Sequence, residues 1–237
     1  MNPDLDQERI NILSNKFRNI PPQQIIEWAV ETFWPDVAMS SSFQTHSVPL
    51  LHMVSQIKPE MRILFLDTGF HFPETLEFKE NLRKSWGLNI VDLHPKIERK
   101  EIESRFGKDL FQRDPDLCCF IHKVEPLAEA LRGLRAWITG IRQGQTAQRA
   151  QASALQLHPN GLVKVNPLLP WTREEVWEYI KEHDLPLHPL YSQGYLSIGC
   201  APCTQPVNSG EDERAGRWIG SNKTECGLHT VFPVLKK

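Results

Sequence analysis

Short apolar runs recur along this chain, and each ends in small or polar residues before a helix-patterned stretch begins. Residues 36–39 run into Ser40-Ser41-Ser42, 62–66 end at Asp67-Thr68-Gly69, and 136–139 lead to Gly140. Two further runs of strand character lie at 89–93 and 163–165. Between them, Val48, Leu51, Val54 and Ile57 fall three residues apart, as on one helix face. Pro73 and Gly87 make a helix start and stop, and 119–131 reads as helical. Thr172 and Glu175 form a capping box for a helix through His183, which Pro186 and Pro189 terminate. Strands alternating with helices dictate an α/β fold with a doubly wound, mostly parallel sheet. Ligands of such sheets bind beyond the carboxyl ends of the strands, which singles out 40–44, 66–69 and 140–149.

The rest of the chain divides around that core. Residues 1–35 read as an N-terminal helical segment, with Ile25, Ile26, Ala29 and Phe33 as an apolar stripe and Pro21-Pro22 at a helix start. Residues 36–190 form the α/β domain. Residues 191–237 read as an irregular C-terminal active-site segment. Hydrophobic residues make up 40% of the chain and charged residues 24%, which permits a packed core. The net charge, 27 − 29 = −2, argues against a general nucleic-acid binder. No apolar run approaches the roughly 20 residues needed to span a bilayer. Residues 1–9 are polar and acidic, unlike a secretion signal. The expected location is the cytoplasm, where thiols stay reduced.

Five cysteines are therefore not expected to pair as disulfides. Cys118 and Cys119 are adjacent, Cys200-Ala201-Pro202-Cys203 is a Cys-x-x-Cys pair, and Cys226 stands alone in Glu225-Cys226-Gly227-Leu228-His229. Adjacent side chains diverge on a strand, but on a helix or turn they lie about 100° apart and both can reach a large group. Four thiolates suit a [4Fe–4S] cluster or a structural zinc. The adjacent pair favours iron–sulfur, because zinc sites prefer spaced knuckles on both sides. Near Cys226, Gly227 gives mobility, and His229 can stabilise a thiolate or a developing anion.

Anion-binding signals accompany the cysteines. Ser40, Ser41 and Ser42 follow a strand and open a helix, either as a phosphate cradle or as a serine-rich helix cap. Lys123 lies four residues after Cys119 on the same helix. Arg142 and Arg149 follow Gly140, and Arg214 and Arg217 are spaced to share a helix face. Such density favours a sulfate or phosphate pocket, with Glu211, Asp212 and Glu213 as alternative partners for Arg214. Trp137, Trp171 and Trp177 read as core, and the remaining histidines show no metal-binding spacing.

Together these motifs resemble the iron–sulfur type of the adenylyl-sulfate/phosphoadenylyl-sulfate (APS/PAPS) reductase family, over 40–230. The resemblance rests on the serine loop, Leu66-Asp67-Thr68-Gly69 with His71 and Pro73-Glu74-Thr75, and Cys118-Cys119 with Lys123-Val124-Glu125-Pro126-Leu127. It continues through Ile138-Thr139-Gly140, Lys164-Val165-Asn166-Pro167-Leu168, the stretch ending in Cys200-Ala201-Pro202-Cys203, Gly210-Glu211-Asp212-Glu213-Arg214-Ala215-Gly216-Arg217-Trp218 and Glu225-Cys226-Gly227-Leu228-His229.

The resemblance implies an adenine-nucleotide α-hydrolase-like fold, APS or PAPS as substrate, and one [4Fe–4S] cluster on Cys118, Cys119, Cys200 and Cys203. It implies that Leu66 and Gly140 hold the adenine or ribose through backbone groups, and that Ser40, Ser41 and Ser42 line the nucleotide phosphate. Lys123, Arg149, Arg214, Arg217 and His229 would meet the phosphosulfate or the leaving charge. Cys226 would be the nucleophile, passing through a thiosulfonate that a dithiol resolves to sulfite, as in sulfate assimilation and cysteine biosynthesis. No second Cys-x-x-Cys is present to act as internal reductant, so thioredoxin or glutaredoxin is the expected partner. The tail bearing Cys226 is expected to close over substrate and open for that partner.

Two departures stand out. Gln44-Thr45-His46 replace the Gly-Ala-Glu-Asp of many APS-specific relatives, which reduces repulsion of a 3′-phosphate and makes PAPS, or both nucleotides, an expected substrate. Arg142-Gln143-Gly144-Gln145-Thr146 replaces the usual Arg-Arg-x-Gln-Ser, which leaves the role of Arg142 open. Competing readings are a cluster-bearing RNA sulfur-insertion enzyme, for which the chain has neither a glycine-rich ATP loop nor a basic surface, and a zinc-stapled nucleic-acid-binding module. Neither a nucleic-acid nor a membrane partner is expected, and homo-oligomer formation is left open.

Overall fold

The computed structural model describes residues 5–208 and 210–229. Part of the expected N-terminal segment (1–4), part of the expected tail (231–237), and Thr230 at the end of the family resemblance lie outside them. In chain order the elements are α1 (Gln7–Lys16), α2 (Pro22–Phe33), β1 (Val37–Ser40), α3 (Val48–Ile57), β2 (Arg62–Leu66), α4 (Pro73–Trp86) and β3 (Ile90–Leu93). There follow α5 (Arg99–Phe106), α6 (Leu110–Arg113), α7 (Pro115–Cys119), α8 (Glu125–Ala130), β4 (Ala136–Ile138), β5 (Leu155–Leu157), β6 (Val163–Val165) and α9 (Arg173–Glu182).

The sheet has the order β3-β2-β1-β4-β6-β5. All neighbours are parallel except β5, which runs antiparallel to β6 at the edge. The fold is therefore the expected doubly wound α/β sheet. Strand order reverses between β1 and β4, so a crevice opens where Ser40 and Gly140 leave adjacent strands.

Both faces of the sheet are covered. Val37 and Met39 of β1 join Ile63 and Phe65 of β2 in a core shared with Ile25, Ile26, Ala29 and Phe33 of α2 and Leu50, Leu51 and Val54 of α3. Ala38 and Leu64, one residue out of phase, face the other way with Trp137 and pack on Leu127 and Leu131 at the α8 side. That alternation is the period-two pattern of strands buried on both faces. Each fully buried Leu, Ile or Phe contributes roughly 1.5–3 kcal/mol.

Helix boundaries follow local chemistry. Thr172 caps α9 in the expected box: its hydroxyl accepts from the Glu175 N–H at 3.2 Å, and the Glu175 carboxylate accepts from the Thr172 N–H at 2.6 Å. Gly87 closes α4 with a left-handed φ of 64°. Among the described residues no helix is long and apolar enough to cross a membrane.

Candidate active site

β1 delivers the serines to the crevice. Phe43 adopts a left-handed φ of 55°, unusual for a bulky residue. Its ring is wholly buried, edge-on to Phe65 with centroids 5.6 Å apart. This packing holds the turn, and the Phe43 N–H donates to Ser41 Oγ at 3.1 Å. The serines do not open a helix directly. A 3₁₀ turn, Thr45–Ser47, intervenes, and the residue preceding α3 is Ser47, which makes no side-chain cap. The serines therefore cap no helix directly, and the segment they occupy is a loop. Ser40 Oγ accepts from Trp137 Nε1 at 2.9 Å.

The same crevice is lined by Ser40, Ser41, Ser42, Leu66, Lys123, Gly140, Arg149, Arg214, Arg217, Cys226 and His229, so the expected catalytic and substrate-binding residues share one cleft. The Leu66 carbonyl already pairs with His71 Nε2 at 2.7 Å, leaving its second lone pair for a ligand.

The four other cysteines line one small cavity, with Phe70, Phe111, Pro115, His122, Lys123, Pro202 and Trp218 among its walls. Asp114 caps α7 by accepting from the Leu117 N–H at 2.9 Å, which sets Cys118 and Cys119 on the last helical positions. The helix then widens into a π-turn, Phe120–Val124, that carries Lys123; such turns recur at functional sites. Cys200 is fixed from outside its own turn: Ala201 N–H donates to the Phe70 carbonyl at 2.7 Å, and Thr68 Oγ1 lies 3.3 Å from Cys200 Sγ. The Arg217 guanidinium lies against Gly199, where a Cβ would force it to shift.

Burial, and then the neighbouring sulfurs, push the Cys118 thiol up to about 12 and the Cys203 thiol to about 11. Burial opposes the Lys123 ammonium, but the sulfurs of Cys200, Cys119 and Cys226 outweigh it and hold its pKa above the ordinary lysine value. Lys123 lines both cavities, and among the described residues it has no carboxylate partner. No group of three or more His, Cys, Asp or Glu among the described residues is arranged to enclose a single metal ion.

The arginines differ in what already holds them. Arg214 and Arg217 share the cleft through turns, not through the helix their spacing suggests: Arg217 N–H donates to the Arg214 carbonyl at 2.9 Å, and residue 217 bridges to Thr204. Arg217 Cζ lies 4.3 Å from the Trp218 ring centroid, and its Nε is buried without a partner. Burial and the charge of Arg149 pull Arg214 down to about 10. Arg149 is held at all three nitrogens: Nε and Nη2 donate to Glu225 at 2.7 and 2.9 Å, and Nη1 donates to Gln145 Oε1.

The acidic triplet does not neutralise the Arg214 guanidinium. Glu211 accepts from Asn208, and Asp212 accepts the Arg214 backbone N–H at 2.8 Å. Glu213 pairs with Arg173 at 2.7 Å and lies 3.8 Å from Arg142. Arg142 is buried and reaches His46 Nδ1 at 3.3 Å. Burial, with Arg142 and Arg173, lowers His46 to about 3, so its neutral ring accepts that bond.

Several residues escaped the sequence reading as site residues. Trp137 is core as expected, yet it also stacks on His229. Trp218 lines both cavities. Lys164 is buried with its Nζ 5.3 Å from the Trp137 ring; burial and Arg149 lower it to about 8, opposed by Glu225. Burial, with Lys164, Arg149 and Arg214, holds His229 neutral.

With this geometry, the comparison with known proteins is decisive. Residues 36–206 match the family model for the phosphoadenosine phosphosulfate reductase domain. The chain belongs to that reductase family. It is 40% identical over 224 residues to the adenosine 5′-phosphosulfate reductase of Salinibacter ruber, covering 94% of this chain and 89% of that one. It is 42% identical over 229 residues to the phosphoadenosine 5′-phosphosulfate reductase of Gloeobacter violaceus, covering 95% of each. Among solved structures it is similar to the phosphoadenylyl-sulfate reductase of Candida auris in its phosphate complex, with a TM-score of 0.73, 31% identity, and coverage of 84% of this chain and 97% of that one. The fold is thus the adenine-nucleotide α-hydrolase-like one.

Proposed function

We propose that this chain reduces APS, PAPS or both to sulfite, releasing AMP or adenosine 3′,5′-bisphosphate. The observation that carries this reading is the position of Cys226. It is the one cysteine, among the described residues, in the strand-end cleft, and it shares that cleft with Lys123, Arg214 and Arg217. A thiolate approaching a sulfate meets repulsion from its oxygens, and preorganised cations offset it.

Cys226 Sγ attacks the sulfate sulfur, and the bond from that sulfur to the bridging phosphate oxygen breaks. The nucleotide leaves with the bond electrons, and Cys226 becomes a thiosulfonate. Arg217, with its donors free, and Lys123 meet the developing charge, while neutral His229 donates one N–H to it. A dithiol then attacks Cys226 Sγ and expels sulfite. Its second thiol resolves the mixed disulfide, so the dithiol is oxidised by two electrons and Cys226 is restored. Thioredoxin or glutaredoxin is the class of reductant this requires.

Cys118, Cys119, Cys200 and Cys203 fit a [4Fe–4S] group. Their thiols line one cavity, where burial and then the neighbouring sulfurs push up Cys118 and Cys203, a conflict that iron relieves by taking thiolates. Among the described residues, Lys123 beside them has sulfur, and no carboxylate, to balance its charge. When bound, the group would supply fixed negative charge and a rigid brace for Lys123.

The choice between nucleotides turns on the loop at Gln44-Thr45-His46, which carries no acid, against Glu213, whose carboxylate lies 3.5 Å from His46 Nδ1. Sulfite release by anaerobically purified protein, with APS and PAPS in separate reactions and reduced thioredoxin supplied, tests the function and names the substrate. Release from neither by iron-loaded protein would overturn it.

A further inference from the structure

The segment entering Cys226 is held from both of its preceding residues. The Glu225 side chain is only 3% exposed. It takes a two-pronged bond from Arg149, with Nε 2.7 Å from Oε1 and Nη2 2.9 Å from Oε2. Thr146 Oγ1 adds a third bond to Oε1 at 2.8 Å. Arg214 Nη2 stands 3.7 Å from Oε2 and donates to the Thr224 carbonyl at 2.8 Å. Beyond the cysteine, Gly227 turns with a φ of 84°, Leu228 packs on the α8-side core, and His229 stacks on Trp137. Cys226 is thus suspended between two anchors. The forward one is apolar and aromatic; the rear one is a buried carboxylate.

Two-pronged guanidinium–carboxylate pairs fix orientation as well as distance. Burial disfavours the Glu225 carboxylate, yet the Arg149 bonds and the Arg149 and Arg214 charges outweigh this and keep it ionised. Three of the five N–H donors of Arg149 are committed in this arrangement, so Glu225 and Gln145 fix its guanidinium in place. Arg217, by contrast, retains its donors.

We propose that Glu225 is the positioning residue of the Cys226 thiol, with Arg149 and Thr146 as its anchor, so that Arg149 acts on the placement of the sulfur through Glu225. The inference rests on the reading of Cys226 as nucleophile. It predicts a specific division of kinetic effects. Loosening the rear anchor misplaces the attacking sulfur but leaves the nucleotide's own contacts intact. Displacements near 1 Å cost on the order of a hundredfold in rate.

The test uses the iron-loaded full chain and the variants Glu225→Gln, Glu225→Asp, Arg149→Gln and the Glu225→Gln/Arg149→Gln double variant. Single-turnover formation of the Cys226 adduct should fall about 30- to 100-fold in Glu225→Gln, while the AMP dissociation constant stays within about twofold. Glu225→Asp should recover a substantial part of the rate. Arg149→Gln should match Glu225→Gln, and the double variant should be no slower than either, because the two act as one unit. Unchanged adduct formation in Glu225→Gln, a weakened AMP affinity that accounts for the loss, or multiplied losses in the double variant would each overturn the proposal.

A second measurement needs no turnover. Alkylation of Cys226 by iodoacetamide should accelerate at least about fivefold in Glu225→Gln and return toward wild type in Glu225→Asp, as expected when a docked segment is released. If wild type forms no adduct from either nucleotide but alkylation responds in this way, the reductase reading fails and the positioning role stands. An alkylation rate indifferent to Glu225 overturns the positioning role itself.

Discussion

The imidazole of His229 lies flat against the indole of Trp137, with ring centroids 5.6 Å apart and planes within 10°. Trp137 is fully buried at the centre of β4 and donates from Nε1 to Ser40 Oγ at 2.9 Å. One core side chain therefore touches both the serine loop and the segment that carries Cys226, and sheet packing sets the distance between them.

Trp137→Phe tests that link. It keeps an aromatic face for His229 and deletes the bond to Ser40, a loss of roughly 1 kcal/mol. The expected result is a KM for the nucleotide raised about fivefold with kcat retained within about threefold, read from steady-state sulfite release.

Gly199→Ala tests the Arg217 pocket. The added methyl group would strike the Arg217 guanidinium, which lies across the Gly199 backbone. The guanidinium, the flexible end of its side chain, must shift, which weakens a charge-assisted bond to the transferred group that is worth roughly 1.5–3 kcal/mol if lost in full. The rate constant for adduct formation should fall severalfold, up to about tenfold, with the iron content per chain unchanged, as iron analysis and stopped assays would report.

Much of this site is legible in the sequence because its parts are local. The residues after β1, β2 and β4 follow from strand ends, and the cysteines from their spacing. What is not legible is held together across the chain. Arg149 and Glu225 meet across 76 residues, and neither neighbourhood signals the other. β5 was missed because Leu155–Leu157 is three residues long and exists only through its antiparallel pairing with β6. The π-turn at Phe120–Val124 carries no sequence mark that distinguishes it from the helix expected there. Turns and a bridge to Thr204 bring Arg214 and Arg217 into one cleft, and not the helix that their spacing suggests.

Glu213→Gln tests nucleotide choice. Its carboxylate stands between Arg142, Arg173 and His46 beside the loop at 44–46. Removing one negative charge near a further phosphate is worth roughly 1 kcal/mol. The ratio of kcat/KM for PAPS over APS should rise about fivefold. An unchanged ratio in paired assays would remove Glu213 from the selection.

His188 links stability to pH. Its Nε2 pairs with Thr75 Oγ1 at 2.9 Å and its Nδ1 accepts from the Leu190 N–H at 3.2 Å, so only the neutral ring fits. Burial lowers its pKa to about 4, with Glu74 opposing. The unfolded chain therefore binds more protons between about pH 6.5 and 4, and the stability from His188 is complete above 6.5 and lost as pH falls through that window. The loss is at most roughly 3 kcal/mol. The melting temperature of wild type should drop more steeply from pH 7 to pH 4.5 than that of His188→Gln, although the variant starts lower.

The central claim is that the thiol of Cys226 takes the sulfonate group. Its most direct test is mass analysis of the Cys226 peptide after the iron-loaded protein is mixed with APS or PAPS and no dithiol is added. One sulfonate is expected on Cys226, released as sulfite when reduced thioredoxin follows, with no adduct in Cys226→Ser that retains its iron. Sulfite formation by Cys226→Ser, or an adduct on another residue, would contradict it.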